Sequence, residues 1–200
     1  MIGSIILAAG ASSRMGTPKA LLDYRGETFL ERLIRVMGTA TEPVIVVLGY
    51  NAAEIQERMR GGGKTARAQF VVNPAPQRGQ LSSLQTGLAA LPQAAEGFAF
   101  IPMDCPAVRE ETVAALADAF RARDGGTLFV IPRCGGKRGH PVFGERQIAQ
   151  QLLALPVTAQ ARDVVHRHVD RTQYIDVDDP GILTDVDDPE AYRRLTEAAR

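Results

Sequence analysis

The sequence has little cysteine, little histidine, no excess of charge and no long apolar run. Its two cysteines, Cys105 and Cys134, are too few for a zinc site or for the disulfide framework of a small secreted domain. The 23 Lys and Arg residues are balanced by 23 Asp and Glu. That balance argues against a protein whose main task is coating nucleic acid, because such binding is driven by phosphate neutralisation. A local basic pocket is still compatible with it. The most apolar stretch, Val44–Leu48, is far too short to span a bilayer. Residues 5–11 have the character of a short signal-peptide core, but no basic residue precedes them and Arg14 and Lys19 follow. That is the wrong charge order for secretion, so a cytoplasmic protein with reduced thiols is expected. Of the three histidines, His166 and His168 stand one residue apart on an expected helix. They face different directions there and form no metal pair.

What is present suits one globular domain spanning residues 1–200. The composition is 45% hydrophobic and 23% charged, with 19 Gly and 12 Pro, which excludes disordered or collagen-like structure. Short runs rich in Val, Ile and Phe at residues 4–7, 43–48, 68–72, 98–101 and 128–131 read as buried strands. Between them lie segments of helical period. Phe29, Leu30, Leu33, Ile34 and Met37 share a face after a Thr28-x-x-Glu31 capping box. Leu84, Leu88 and Leu91 mark a second helix, and Val113, Leu116, Ala117 and Phe120 a third. Asp188-Pro189 offers an N-cap and an N1 proline to a last helix ending near Ala198. Alternating strands and helices imply a Rossmann-like three-layer α/β/α fold with a mostly parallel sheet. Residues 61–64 and 135–138 read as exposed loops, and no repeat or linker divides the chain.

In such folds ligands bind beyond the carboxyl ends of the strands. The first strand runs into Leu7-Ala8-Ala9-Gly10-Ala11-Ser12-Ser13-Arg14-Met15-Gly16-Thr17-Pro18-Lys19. Small residues allow close backbone approach to a ligand, successive N–H groups can cradle an anion, and Arg14 and Lys19 supply cations for phosphates. The alternative is a flexible loop with two solvated bases. Neither better-known phosphate loop is present. Gly63-Lys64-Thr65 ends like a Walker A motif, but Arg58 occupies the place of its first glycine, and the first loop lacks Gly-x-Gly-x-x-Gly.

Asp104, at the end of the fourth strand, would suit Mg²⁺ beside a triphosphate, or would serve as a turn aspartate. Asp185 and Asp187 add carboxylates before the last helix, with Asp188 spent on its cap. Asp176, Asp178 and Asp179 read as a solvated acidic turn. Gln80, Ser82 and Ser83 open a helix where hydroxyls and free N–H groups could meet a base, a sugar or an acceptor phosphate, or simply cap it. His140, in Lys137-Arg138-Gly139-His140-Pro141, is either structural or part of the site.

Together these segments resemble the MobA-like nucleotidyltransferases, and most closely their molybdenum cofactor cytidylyltransferase branch. The resemblance rests on Leu7 to Lys19, Gly79 to Leu88, Pro102-Met103-Asp104-Cys105-Pro106, Arg138-Gly139-His140-Pro141 and Asp185-Val186-Asp187-Asp188-Pro189-Glu190. It implies a nucleotide-diphospho-sugar transferase-like fold and transfer of CMP from CTP to a molybdopterin-type phosphorylated acceptor, with release of pyrophosphate. It also implies that Leu7, Ala8, Ala9 and Gly10 contact the base, that Arg14 and Lys19 bind the triphosphate, and that Gln80 and Ser82 contact the nucleotide. Ser83 and His140 would contact the acceptor, and Asp104 with Asp187 or Asp185 would hold Mg²⁺ or Mn²⁺. Arg14, Lys19 and Asp104 would carry catalysis, and a molybdoenzyme would receive the product. Leu-Ala-Ala-Gly, rather than Leu-Ala-Gly-Gly, is similar to the CTP-using members. Cys105 departs from them, standing where Gln is usual. Two other functions fit less of the pattern: the same reaction with another NTP or on a sugar or alcohol phosphate, and a non-catalytic accessory protein that binds the cofactor. A carrier has no need for Arg14, Lys19, Asp104 and Asp187 together.

Overall fold

The computed structural model describes residues 1–60, 65–156 and 158–198. The expected loop at residues 61–64 lies outside them. The strands, in chain order, are β1 (Ile2–Ala8), β2 (Asp23–Tyr24), β3 (Glu27–Thr28), β4 (Val44–Leu48), β5 (Ala68–Val72), β6 (Gly97–Pro102), β7 (Phe129–Cys134), β8 (Lys137–Arg138), β9 (Val142–Glu145) and β10 (Thr172–Asp176). The helices are α1 (Phe29–Met37), α2 (Ala52–Met59), α3 (Gln80–Ala89), α4 (Glu110–Ala122), α5 (Arg146–Leu153), α6 (Ala161–Arg167) and α7 (Pro189–Glu197).

One large sheet has the order β10-β7-β9-β6-β1-β4-β5, with β8 paired to β7. Strands β6, β1, β4 and β5 are parallel, as are β7 and β10. All five expected strands are present, and the sheet is mostly parallel. Two strands of that order are unanticipated: β10, which pairs parallel with β7 and ends in Asp176 of the expected acidic turn, and β9, which inserts antiparallel between β6 and β7. With four residues, β9 is too short for its alternation to stand out from its surroundings.

Side chains alternate across β1 and so build two cores. Ile6 and Ala8 join Val46, Ile101, Leu30, Leu33 and Leu116 on one face. Ile5 and Leu7 join Val47, Leu84, Leu88, Phe98, Ile148 and Val164 on the other. Helices therefore cover both faces of a sheet whose central strand is fully buried. The Thr28–Glu31 capping box forms, with Glu31 N–H donating to Thr28 Oγ1 at 3.1 Å and Thr28 N–H to Glu31 Oε2 at 2.9 Å. Asp188 caps α7 by accepting from Ala191 N–H at 2.8 Å. No described helix is long and apolar enough to cross a membrane.

Two local expectations are corrected. Residues 135–138 are exposed, as anticipated, but they form a hairpin in which Cys134 pairs with Lys137 across Gly135 and Gly136. Both glycines have positive φ, the geometry of a tight two-residue strand turn. Asp179 is not a solvated acid, being 2% exposed. It accepts from Arg109 N–H at 2.9 Å, Thr112 Oγ1 at 2.7 Å and Gly181 N–H at 2.9 Å. These bonds tie the segment before α7 to the start of α4. A carboxylate can be buried when several donors satisfy its oxygens, and nothing in a local Asp-rich pattern reveals them.

Candidate nucleotide and metal site

The end of β1 delivers the chain into a loop that folds back on itself. Ser12 adopts a left-handed conformation, φ 50°. Its carbonyl accepts from Met15 N–H at 2.9 Å and its hydroxyl accepts from Lys19 N–H at 3.0 Å. These two bonds close the loop around residues 12–19 and direct the two bases. Lys19 opens a short 3₁₀ turn, Lys19–Leu21. Its Nζ lies 2.5 Å from Asp187 Oδ1, and Arg14 Nη1 lies 3.9 Å from Asp187 Oδ2. Ser12 carried no signal of its own in the sequence beyond standing among small residues.

Asp104 follows β6, and its carbonyl accepts from Val186 N–H at 3.1 Å. That bond places Asp185 and Asp187, on either side of Val186, beside the end of β6. A carboxylate oxygen from each of Asp104, Asp185 and Asp187 lies within 4.8 Å of the others. Burial raises the Asp104 carboxyl above its ordinary range, Lys19 opposes this, and the Asp185 and Asp187 charges add to the rise. Asp187 is held below the usual carboxylate range, first by its hydrogen bond from Lys19. Three hard oxygen donors converging beside cations fit Mg²⁺ or Mn²⁺, which take few protein carboxylates and fill the rest of their shell with phosphate oxygens and water.

Two cavities meet at this cluster. The first, about 360 Å³, is lined by residues of the first loop including Leu7 to Arg14 and Lys19, with Tyr50, Pro76, Gly79, Gln80, Ser83, Asp104 and Asp187. The second, about 480 Å³, lies between β6, β9, α6 and the segment before α7. Gln80, Pro102 and Asp104 line both. A model of the MobA-like NTP transferase domain matches residues 4–172 of the sequence. The chain belongs to that family.

Relatives and solved structures agree with this assignment. The chain is 31% identical over 160 residues to a probable molybdenum cofactor guanylyltransferase of Bacillus cereus strain G9842, covering 76% of this chain and 72% of the relative. It spans about half the length of other Bacillus cereus relatives of that name. The crystal structure of Rv0371c from Mycobacterium tuberculosis H37Rv is similar over 98% of both chains, with TM-score 0.82 and 30% identity. A second structure of Rv0371c, in complex with manganese, has TM-score 0.77 and 28% identity over 98% of both chains. The fold is the Rossmann-like α/β type of the nucleotide-diphospho-sugar transferases.

The site of this MobA-like chain gathers most of the residues singled out in the sequence. Leu7, Ala8, Ala9, Gly10, Arg14, Lys19, Gln80, Asp104 and Asp187 share the first cavity, and His140 and Asp185 line the second. Ser83 lies on the first cavity rather than on the His140 side. Ser82 lines neither: its hydroxyl donates to Gly79 carbonyl at 2.8 Å and accepts from Asn73 Nδ2 at 2.9 Å. That hydroxyl is engaged within the protein, and Asn73, buried just after β5, donates to the hydroxyls of both serines.

His140 is placed by its backbone. Its N–H donates to Ile182 carbonyl at 3.0 Å, and Gly139 passes so close to Ile182 that any β-carbon would come within 2.2 Å of that oxygen. Burial lowers the His140 imidazole to about 4, so it is neutral at physiological pH and contributes no cation. Cys105 is buried beside Asp104. Burial, then the Asp104 charge, pushes its thiol far upward, which removes it as a nucleophile.

Proposed function

We propose that this chain transfers a nucleoside monophosphate from an NTP to a molybdopterin-type phosphate, releasing pyrophosphate and using Mg²⁺ or Mn²⁺. The observation that carries this reading is the meeting of two cavities at Asp104, with Arg14 and Lys19 in one and Asp185 in the other. The NTP would occupy the first cavity, and the acceptor phosphate would enter from the second to reach the α-phosphorus in line with the leaving pyrophosphate. Ser82 takes no part, and Ser83 would contact the nucleotide.

A phosphate monoester is already anionic at neutral pH, so attack on the α-phosphorus needs no general base. The difficulty is repulsion between two anions and charge growing on pyrophosphate, which fixed cations relieve. Lys19, only 15% exposed at its side chain, is held in place by Asp187, while Arg14, at 70%, is the more exposed and more distant partner of the same carboxylate. Asp104 with Asp187 or Asp185 would hold the metal, which when bound supplies further neutralisation of phosphate charge. The manganese complex of Rv0371c and the hard-oxygen donor set support this assignment.

CTP is the proposed nucleotide. Ala9 is buried on the cavity wall against Gly49, where an added β-carbon would come within 2.8 Å of the Ala9 methyl. On this reading, the methyl's packing against Gly49 would set the position of the wall and leave less room for a purine than glycine would. GTP is the second reading, supported by the name of the curated relatives. Pyrophosphate release with each of four NTPs and a molybdopterin preparation tests both. Metal-dependent release with CTP above the rest is expected, GTP above CTP replaces the first nucleotide reading by the second, and no release with any NTP overturns the proposal.

A further inference from the structure

The second cavity carries bases that the nucleotide chemistry does not use. Arg138 on β8 and Arg162 and His166 on α6 line it, and none of the three lines the first cavity. Arg162 and His166 are four residues apart and so project from one face of α6. The Arg138 guanidinium sits 4.6 Å over the Tyr174 ring, while the carboxylate of Asp176 is taken by Arg133 at 2.7 Å. Among the described residues none of these three bases has an ion-pair partner. The carboxylates of this cavity, Asp104 and Asp185, belong to the three-aspartate cluster proposed to hold the metal.

Two more observations point to a ligand. His140 Nδ1, in the same cavity, is buried without a hydrogen-bond partner. The volume, about 480 Å³, is of the size that holds a whole small molecule and far exceeds what a single phosphate fills. Phe100, Ile131 and Val142 supply an apolar wall between the polar groups.

We propose that Arg138, Arg162 and His166 bind a second negatively charged group at the non-reacting end of the acceptor. This rests on the proposed transfer and narrows its substrate class: the acceptor is a phosphate monoester with another anionic group at its far end. The reacting phosphate is drawn to the metal cluster, the middle of the molecule packs on the apolar wall, and the three bases hold the distal charge. A sugar phosphate with an uncharged far end gains nothing from them.

The test compares the wild type with Arg162→Ala, Arg162→Lys and the Arg162→Ala/His166→Gln double variant. Pyrophosphate release is measured with a molybdopterin preparation and, separately, with glucose 1-phosphate. Loss of one charge-assisted hydrogen bond at an exposed site corresponds to about a tenfold weaker interaction. Arg162→Ala should raise KM for molybdopterin about tenfold with little change in kcat or in KM for the NTP, and Arg162→Lys should restore most of it. Any turnover of glucose 1-phosphate should be insensitive to the substitution. An unchanged molybdopterin KM in the double variant overturns the inference and leaves the proposed transfer standing. Should the wild type release no pyrophosphate at all, the transfer fails, and calorimetric titration with molybdopterin still decides this inference. Tenfold weaker binding by the double variant supports it; equal binding by both proteins, or binding by neither, overturns it.

Discussion

Lys19 and Asp187 stand 168 residues apart in the chain, and their side chains meet at 2.5 Å. The pair joins the first loop to the segment before α7, so one ion pair ties together two walls of the first cavity. It also sets the direction of the Asp187 shift: the lysine keeps that carboxylate charged in a cluster where three acids would otherwise repel one another.

Lys19→Ala should lower turnover by about 10²-fold or more, because a cation fixed against developing phosphate charge is lost. Stability should fall by no more than about 1 kcal/mol, the usual range for a partly exposed ion pair. Initial rates and thermal unfolding of the same preparation check both. Near-normal turnover would remove Lys19 from the mechanism.

Asp104→Ala should abolish activity while the fold persists. In the metal-free protein its removal takes away one of three converging carboxylates and a carboxyl strained by burial, so the melting temperature should hold or rise. Added Mn²⁺ should raise the wild-type melting temperature and leave the variant unmoved. Full wild-type turnover in excess EDTA would rule out the metal-based account.

Ala9→Gly should relax nucleotide choice without a large loss of activity with CTP. A methyl-sized difference in a pocket is worth roughly 1–3 kcal/mol, so the wild-type preference for CTP over GTP should be about ten- to two-hundredfold. The measurement is kcat/KM for both nucleotides in both proteins with one acceptor. A wild-type ratio that favours GTP would sink the cytidine assignment alone.

His140 should make the protein sensitive to mild acid. Its folded value of about 4 lies below the ordinary 6.5, so the unfolded chain takes up a proton that the folded chain refuses. The associated stability is fully present above pH 6.5, declines as pH falls toward 4, and is lost below that. The gap corresponds to a loss on the order of 3 kcal/mol. Urea unfolding at pH 7.5, 6, 5 and 4 should show this decline in the wild type beyond that in His140→Gln. Parallel pH curves for the two proteins would show that burial does not hold the imidazole neutral.

The parts of the protein whose signal is local are legible in the amino-acid order alone. Continuous apolar runs marked the central strands, helical periodicity marked α1, α3 and α4, and capping residues placed the starts of α1 and α7. The small-residue loop with Arg14 and Lys19, and the aspartates around it, were legible because each stands directly at a strand end or before a helix. Tertiary structure alone decided what lies far apart in sequence. It put Asp185 and Asp187 beside Asp104 through the Val186–Asp104 bond, and it buried Asp179, of the same residue type, among three donors. It also slid β9 between β6 and β7, and gathered Arg138, Arg162 and His166 around one cavity. The physical reason is that periodicity and capping report a residue's own segment, whereas charge partners, burial and cavities are fixed by segments packed against it from elsewhere in the chain.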